Sequence, residues 1–122
     1  MRLTMLKLVK ILRVEMEDLK TDIELLVEEH QRRFQSHIES GRVCRENVAT
    51  LQNEEFGVRH FIDILDAIDV DNFDNLDHLV ATIRRRFRKI IEERELAQAS
   101  MVLAERRLAK VERYVTDSGS NA

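Results

Sequence analysis

The feature that most constrains this chain is an apolar stripe that keeps its phase from Phe34 to Leu65. Apolar or small residues stand at Phe34, His37, Gly41, Cys44, Val48, Leu51, Glu55, Val58, Ile62 and Leu65, in alternating steps of three and four, and only His37 and Glu55 break the apolar rule. Such spacing holds one face of an α-helix toward one partner helix, the seam of a coiled coil. A second stripe repeats it beyond a short acidic stretch: Leu76, Leu79, Ile83, Phe87, Ile90, Arg94, Ala97, Met101, Ala104, Leu108, Val111 and Val115. Two seams in one chain predict a long antiparallel two-helix coiled-coil hairpin.

Composition supports an all-α fold. Among 122 residues there is no Pro, there are only 3 Gly, and aromatics make up 5%, so the turn punctuation of a sandwich, barrel or α/β fold is missing. A narrow Leu/Ile/Val/Ala seam needs few aromatics, which predicts a long, thin core in a single helical domain. The net charge of −3 gives no whole-chain attraction to nucleic acid or an anionic membrane. Cys44 is the single cysteine and has no internal partner, so a cytoplasmic protein is expected. No window approaches 18 uncharged apolar residues, and Lys7, Lys10 and Arg13 interrupt the apolar N-terminus, so neither a membrane span nor a signal peptide is expected.

That N-terminus carries its own stripe, Met5, Leu8, Leu12, Met16, Leu19, Ile23 and Leu26, widened by Leu6, Val9, Ile11, Val14, Leu25 and Val27. It is too wide for one partner helix. From Leu26 through His30 to Phe34 two steps of four follow each other, the mark of a stutter that unwinds a coiled coil locally without ending the helix. One helix is therefore predicted over about 3–68, roughly 100 Å long at about 1.5 Å per residue. An acidic turn over 69–74, a second helix over about 75–116 and a disordered tail over 117–122 complete the reading. The weak point is Gly41 beside Ser40, where a break would instead fold the chain into a three-helix bundle.

The turn is rich in aspartate, and Asp71 or Asp74 is the expected cap of the second helix. A calcium loop does not fit. With Asp69 as the first position, Phe73 falls on a ligand place, Asp74 replaces the required Gly, and Val80 stands where a bidentate Glu belongs. Folding about the turn sets Leu65 beside Leu76, Val58 beside Ile83, Leu51 beside Ile90 and Cys44 beside Ala97, with Glu28 near Arg113. Leu26 then pairs with Val115, which leaves about 25 residues of the first helix uncovered. Each buried Leu or Ile is worth about 1.5–3 kcal/mol, so this overhang has to pack on something. A homodimer through Met5, Leu8, Leu12, Met16, Leu19, Ile23 and Leu26 is the expected answer, with a heterologous partner helix as the alternative.

Candidates for site chemistry are few. His30, His37 and Cys44 are spaced by seven residues, about 10 Å along a helix, too far apart to share one ion. His60 and His78 lie outside any paired-ligand motif, and no nucleophile stands in a strand-turn-helix context or beside a phosphate loop. Neither a metal nor a cofactor nor an enzyme is expected. The basic run Arg84, Arg85, Arg88 and Lys89 keeps a nucleic-acid role open through phosphate contacts, although Glu92, Glu93 and Glu95 stand close by. The leading expectation is a non-enzymatic coiled-coil interaction protein, acting as scaffold, adaptor or helical chaperone.

Overall fold

The computed structural model describes residues 2–120 and is all-α: α1 (Arg2–Gln35), α2 (Gly41–Asp66), a 3-10 turn (Val70–Asn72), α3 (Leu76–Glu93) and α4 (Gln98–Ser120). Among the described residues no helix is long and apolar enough to cross a membrane.

Polar contacts give the helix directions. Arg13 Nε donates to Asp66 Oδ1 at 2.6 Å, and at the other end of the pair Cys44 Sγ donates to the His30 carbonyl at 3.5 Å, so α2 runs antiparallel to α1. α4 also lies antiparallel to α1, since Glu15 accepts from Arg107 at 2.7 Å and Lys110 at 3.0 Å while Lys7 sits 5.6 Å over the Tyr114 ring. α3 folds back along α4, with Arg84 Nε donating to Glu105 at 2.8 Å. Each helix thus reverses the one before it. All four helices feed one core, which includes Leu12, Met16, Val58, Phe61, Ile83, Phe87, Leu108 and Val111.

Both predicted long helices are divided. The first ends at Gln35 and the second is split after Glu93, so the break expected as the alternative near Ser40 occurs, and a second one follows at 94–97. The two breaks share one chemistry. His37 (φ 61°) and Glu95 (φ 52°) take the left-handed conformation. The amides of Ile38 and His37 then reach the carbonyls of Arg33 and Phe34, and those of Leu96 and Glu95 reach Ile91 and Glu92. These paired 6→1 and 5→2 bonds are Schellman caps that satisfy the free carbonyls of a helix end, built here on non-glycine residues. Gly41 is not the break; it opens α2, while the Ser40 side chain before it caps the helix by accepting from Val43 N at 3.2 Å.

The overhang is resolved inside the chain. Met5, Leu8, Leu12, Met16, Leu19 and Ile23, expected in an oligomer interface, are all buried against their own molecule, and only Leu26 stays 49% exposed. A left-handed residue costs about 1–2 kcal/mol, whereas a row of buried Leu and Met side chains returns several times that. Folding back within one chain also avoids the translational cost of association. The register changes accordingly. Cys44 lies on His30 rather than Ala97, whose amide donates to Asn53 Oδ1 at 3.1 Å, and Glu15 rather than Glu28 meets the α4 cations.

Two end assignments also differ. Asn75 caps α3, accepting from His78 N at 2.9 Å, while Asp69 caps the 3-10 turn by accepting from Asp71 N at 3.0 Å. The asparagine side chain serves as well as an aspartate there because it too offers an oxygen acceptor. Residues 117–120, expected in a disordered tail, continue α4, and the tail's last positions, 121 and 122, lie outside the described residues.

Of the expected seam residues, Cys44, Val58, Ile62, Leu65, Ile83, Phe87 and Leu108 are buried, and Val48, Leu51, Leu76, Ile90 and Met101 are half-buried. Phe34 is exposed. Helix α2 comes close to Ser100 of α4 at Gly57, where an added Cβ would lie 2.5 Å from Ser100 Cβ. Ser100 itself is fully buried and donates to the Glu54 carbonyl at 3.3 Å.

Gly57→Ala should therefore destabilise the fold by about 1–3 kcal/mol through overpacking, despite alanine's better helix propensity. Glu95→Gly should have the opposite sign, stabilising by up to about 1 kcal/mol as the left-handed strain is relieved. Leu12→Ala should cost about 2–5 kcal/mol, and Leu12→Asp with Leu19→Asp should unfold the chain rather than release a folded monomer. Urea unfolding followed by circular dichroism reads all four.

Candidate functional site

α3 and α4 turn at 94–97, level with Asn53 of α2, so the last turns of α1 and the first of α2 project beyond them as a bare pair. This projecting end is held by a polar cluster. His30 Nδ1 lies 2.9 Å from Glu39 Oε2 and 3.0 Å from Oε1, and Asn47 Nδ2 donates to Glu39 Oε1 at 2.8 Å. The His30 hydrogen bond holds the Glu39 carboxyl below its ordinary value, outweighing the desolvation of its position, and Asn47 adds to the effect. Phe34 leans over Gly41, where a side chain would come within 3.3 Å of its ring. With the loop pinned in this way, apolar groups are left facing water: Ile38 is 77% exposed and Phe34, Val43 and Leu26 are each near half.

The metal candidates do not converge. His30 is engaged by Glu39, Cys44 is a buried free thiol, and among the described residues no three His, Cys, Asp or Glu side chains form a group able to hold a metal ion. His60 packs edge-on against Phe56 at 4.7 Å, and its Nε2, like Thr82 Oγ1, is buried without a hydrogen-bond partner among the described residues.

The basic run divides. Arg84 is consumed by Glu105, at 2.7 Å, and approaches Glu112 at 4.0 Å; the Glu105 hydrogen bond raises its already high pKa further. Lys89 lies 3.8 Å from Glu93. Arg85 and Arg88 are exposed and have no ion pair among the described residues, so two of the four candidate phosphate contacts are free. Sequence spacing also missed their neighbours on α4. Arg106 and Arg113 are likewise exposed and unpaired among the described residues. Arg84, Arg88, Met101, Val102, Glu105 and Arg106 line an open groove of about 390 Å³ between α3 and α4. A second groove, of about 570 Å³ between α1 and α4, runs along Ile11, Glu15, Val111, Arg113 and Tyr114.

No family model matches the chain, and no curated protein or solved structure matches it.

Three carboxyls are held low by named partners: Glu15 by Lys110 and then Arg107, Asp66 by Arg13, and Glu39 by His30. A depressed native pKa adds stability above the unfolded value of about 4 and loses it as the pH falls through the native value. Wild type should therefore lose stability progressively below about pH 4, and Glu15→Gln should flatten that acid limb while weakening the fold at neutral pH. Urea midpoints measured between pH 2 and 7 check this, and an unchanged slope in Glu15→Gln would remove Glu15 from the account.

Proposed function

We propose that this chain is a non-enzymatic helical interaction protein, a scaffold, adaptor or helical chaperone, that self-associates and takes a partner helix at the projecting end of the α1–α2 pair. The observation that supports this most directly is the exposure of Leu26, Phe34, Ile38 and Val43 on a part of the chain that α3 and α4 do not reach. Apolar surface of this kind, rimmed by charged residues such as Arg42 and Glu46, favours burial by another molecule. A helix suits it best, because side chains spaced three and four apart can fill the shallow notch between two antiparallel helices. The buried free thiol of Cys44 is in keeping with a cytoplasmic setting.

A photo-crosslinker in place of Ile38 should give a defined adduct with a helical segment of the partner. That segment, purified, should bind wild type and lose about tenfold or more in affinity to Phe34→Asp with Ile38→Asp, both exposed positions whose change leaves helicity intact. Unchanged affinity in this double variant, or hydrogen-exchange protection that falls on α3 instead, overturns the reading.

A further inference from the structure

Charge is segregated in this fold. Residues 1–75 carry 16 acidic against 10 basic side chains, and residues 76–122 carry 10 basic against 7 acidic. The first set builds α1, α2 and the turn, and the second builds α3 and α4.

On the outer side of α1, turned away from the core, a row advances by four, three, four and three: Val14, Asp18, Thr21, Leu25 and Glu28. All five are exposed, Val14 at 61% and Leu25 at 56%. Asp18, the adjacent Asp22 and Glu28 have no ion pair among the described residues. This is an acidic amphipathic helix face with nothing packed on it.

The groove between α3 and α4 is its complement. Along α4, Val102, Arg106, Ala109 and Arg113 advance by four, three and four; Val102 is 50% exposed, and Met101 completes an apolar floor. Arg88 stands on the opposite wall, exposed and without an ion pair among the described residues. From Val14 to Leu25 and from Val102 to Arg113 is in each case eleven residues, about 16 Å of helix. The two faces match in period and length, each begins on an exposed valine, and they are opposite in charge.

We infer that the α1 outer face of one copy seats in the α3–α4 groove of a second copy of this chain. Val14 covers Met101 and Val102, while Asp18 and Asp22 meet Arg88 and Arg106. α1 packs on α2 and α4 and scarcely touches α3, so its outer face and the α3–α4 groove are separate surfaces. The contact joins two different surfaces, so it is either reciprocated about a two-fold axis or propagated head-to-tail as a chain or ring. This assignment rests on the self-association in the function proposed above and uses a surface separate from the projecting α1–α2 end.

Sedimentation velocity over a range of concentrations tests it. Wild type should grow beyond the 14.4 kDa chain mass as concentration rises, and added salt should oppose the growth. Arg88→Glu with Arg106→Glu, and separately Asp18→Lys with Asp22→Lys, should each raise the association midpoint about tenfold or more with unchanged circular dichroism melting. An equimolar mixture of the two variants should regain assembly, because each reversed face then finds its complement. A wild type that stays monomeric at hundred-micromolar concentration overturns both the self-association and this assignment. An oligomer indifferent to both variants overturns the assignment alone. A monomer that shifts labelled RNA or DNA, with the shift lost in the arginine variant, gives the groove to phosphate instead.

Discussion

The structure depends on burying the N-terminal apolar stripe within its own chain. Leu8, Leu12 and Met16 are completely inaccessible to solvent, and α1 packs chiefly on α2 and α4. A two-helix hairpin has no surface to spare for such a stripe. A face this wide takes two covering helices, α2 and α4, which is why both predicted long helices are interrupted. The magnitude decides it, since each interruption costs one strained residue and a few rearranged hydrogen bonds while the stripe is worth many kcal/mol.

How the chain interrupts its helices follows from what it lacks. With no Pro and with its three glycines placed elsewhere, it ends α1 and α3 on His37 and Glu95 in the left-handed region. Two shared carbonyl caps satisfy the backbone, and side chains outside the cap secure the α1–α2 loop: Glu39 is gripped by His30 and Asn47. Across the molecule, Asn53 supplies an acceptor to the Ala97 amide just before α4. Gly57 serves packing instead, letting α2 meet Ser100 at a separation that a methyl group would forbid.

The same folding event sets out the surface. Doubling α4 back along α1 brings Arg107 and Lys110 to Glu15 but leaves Arg106 and Arg113 facing water. Arg84 and Glu105 close the α3–α4 pair, and Arg85, Arg88 and Arg106 have no ion pair among the described residues. An ion pair at such a surface adds little to stability, and its larger effect is to specify which faces meet and in what orientation. The projecting end of α1 and α2 differs in kind, since charges of both signs surround an apolar centre there.

Much of this was legible in the residues alone. The three-and-four spacing fixed an all-α chain and named most of its core, because a helix of period 3.6 must turn such positions to one side. It also exposed the problem of the uncovered N-terminal stripe. What periodicity could not decide was which surface covers it, since a heptad stripe fits a partner helix equally well from the same chain or from another. Nor could it find the breaks at His37 and Glu95, because left-handed caps are ordinarily signalled by glycine and here are imposed by the burial they permit. The free arginines of α3 and α4 became a single surface only through tertiary structure, when packing paired Arg84 and Arg107 with carboxylates and left Arg88 and Arg106 on either side of one groove.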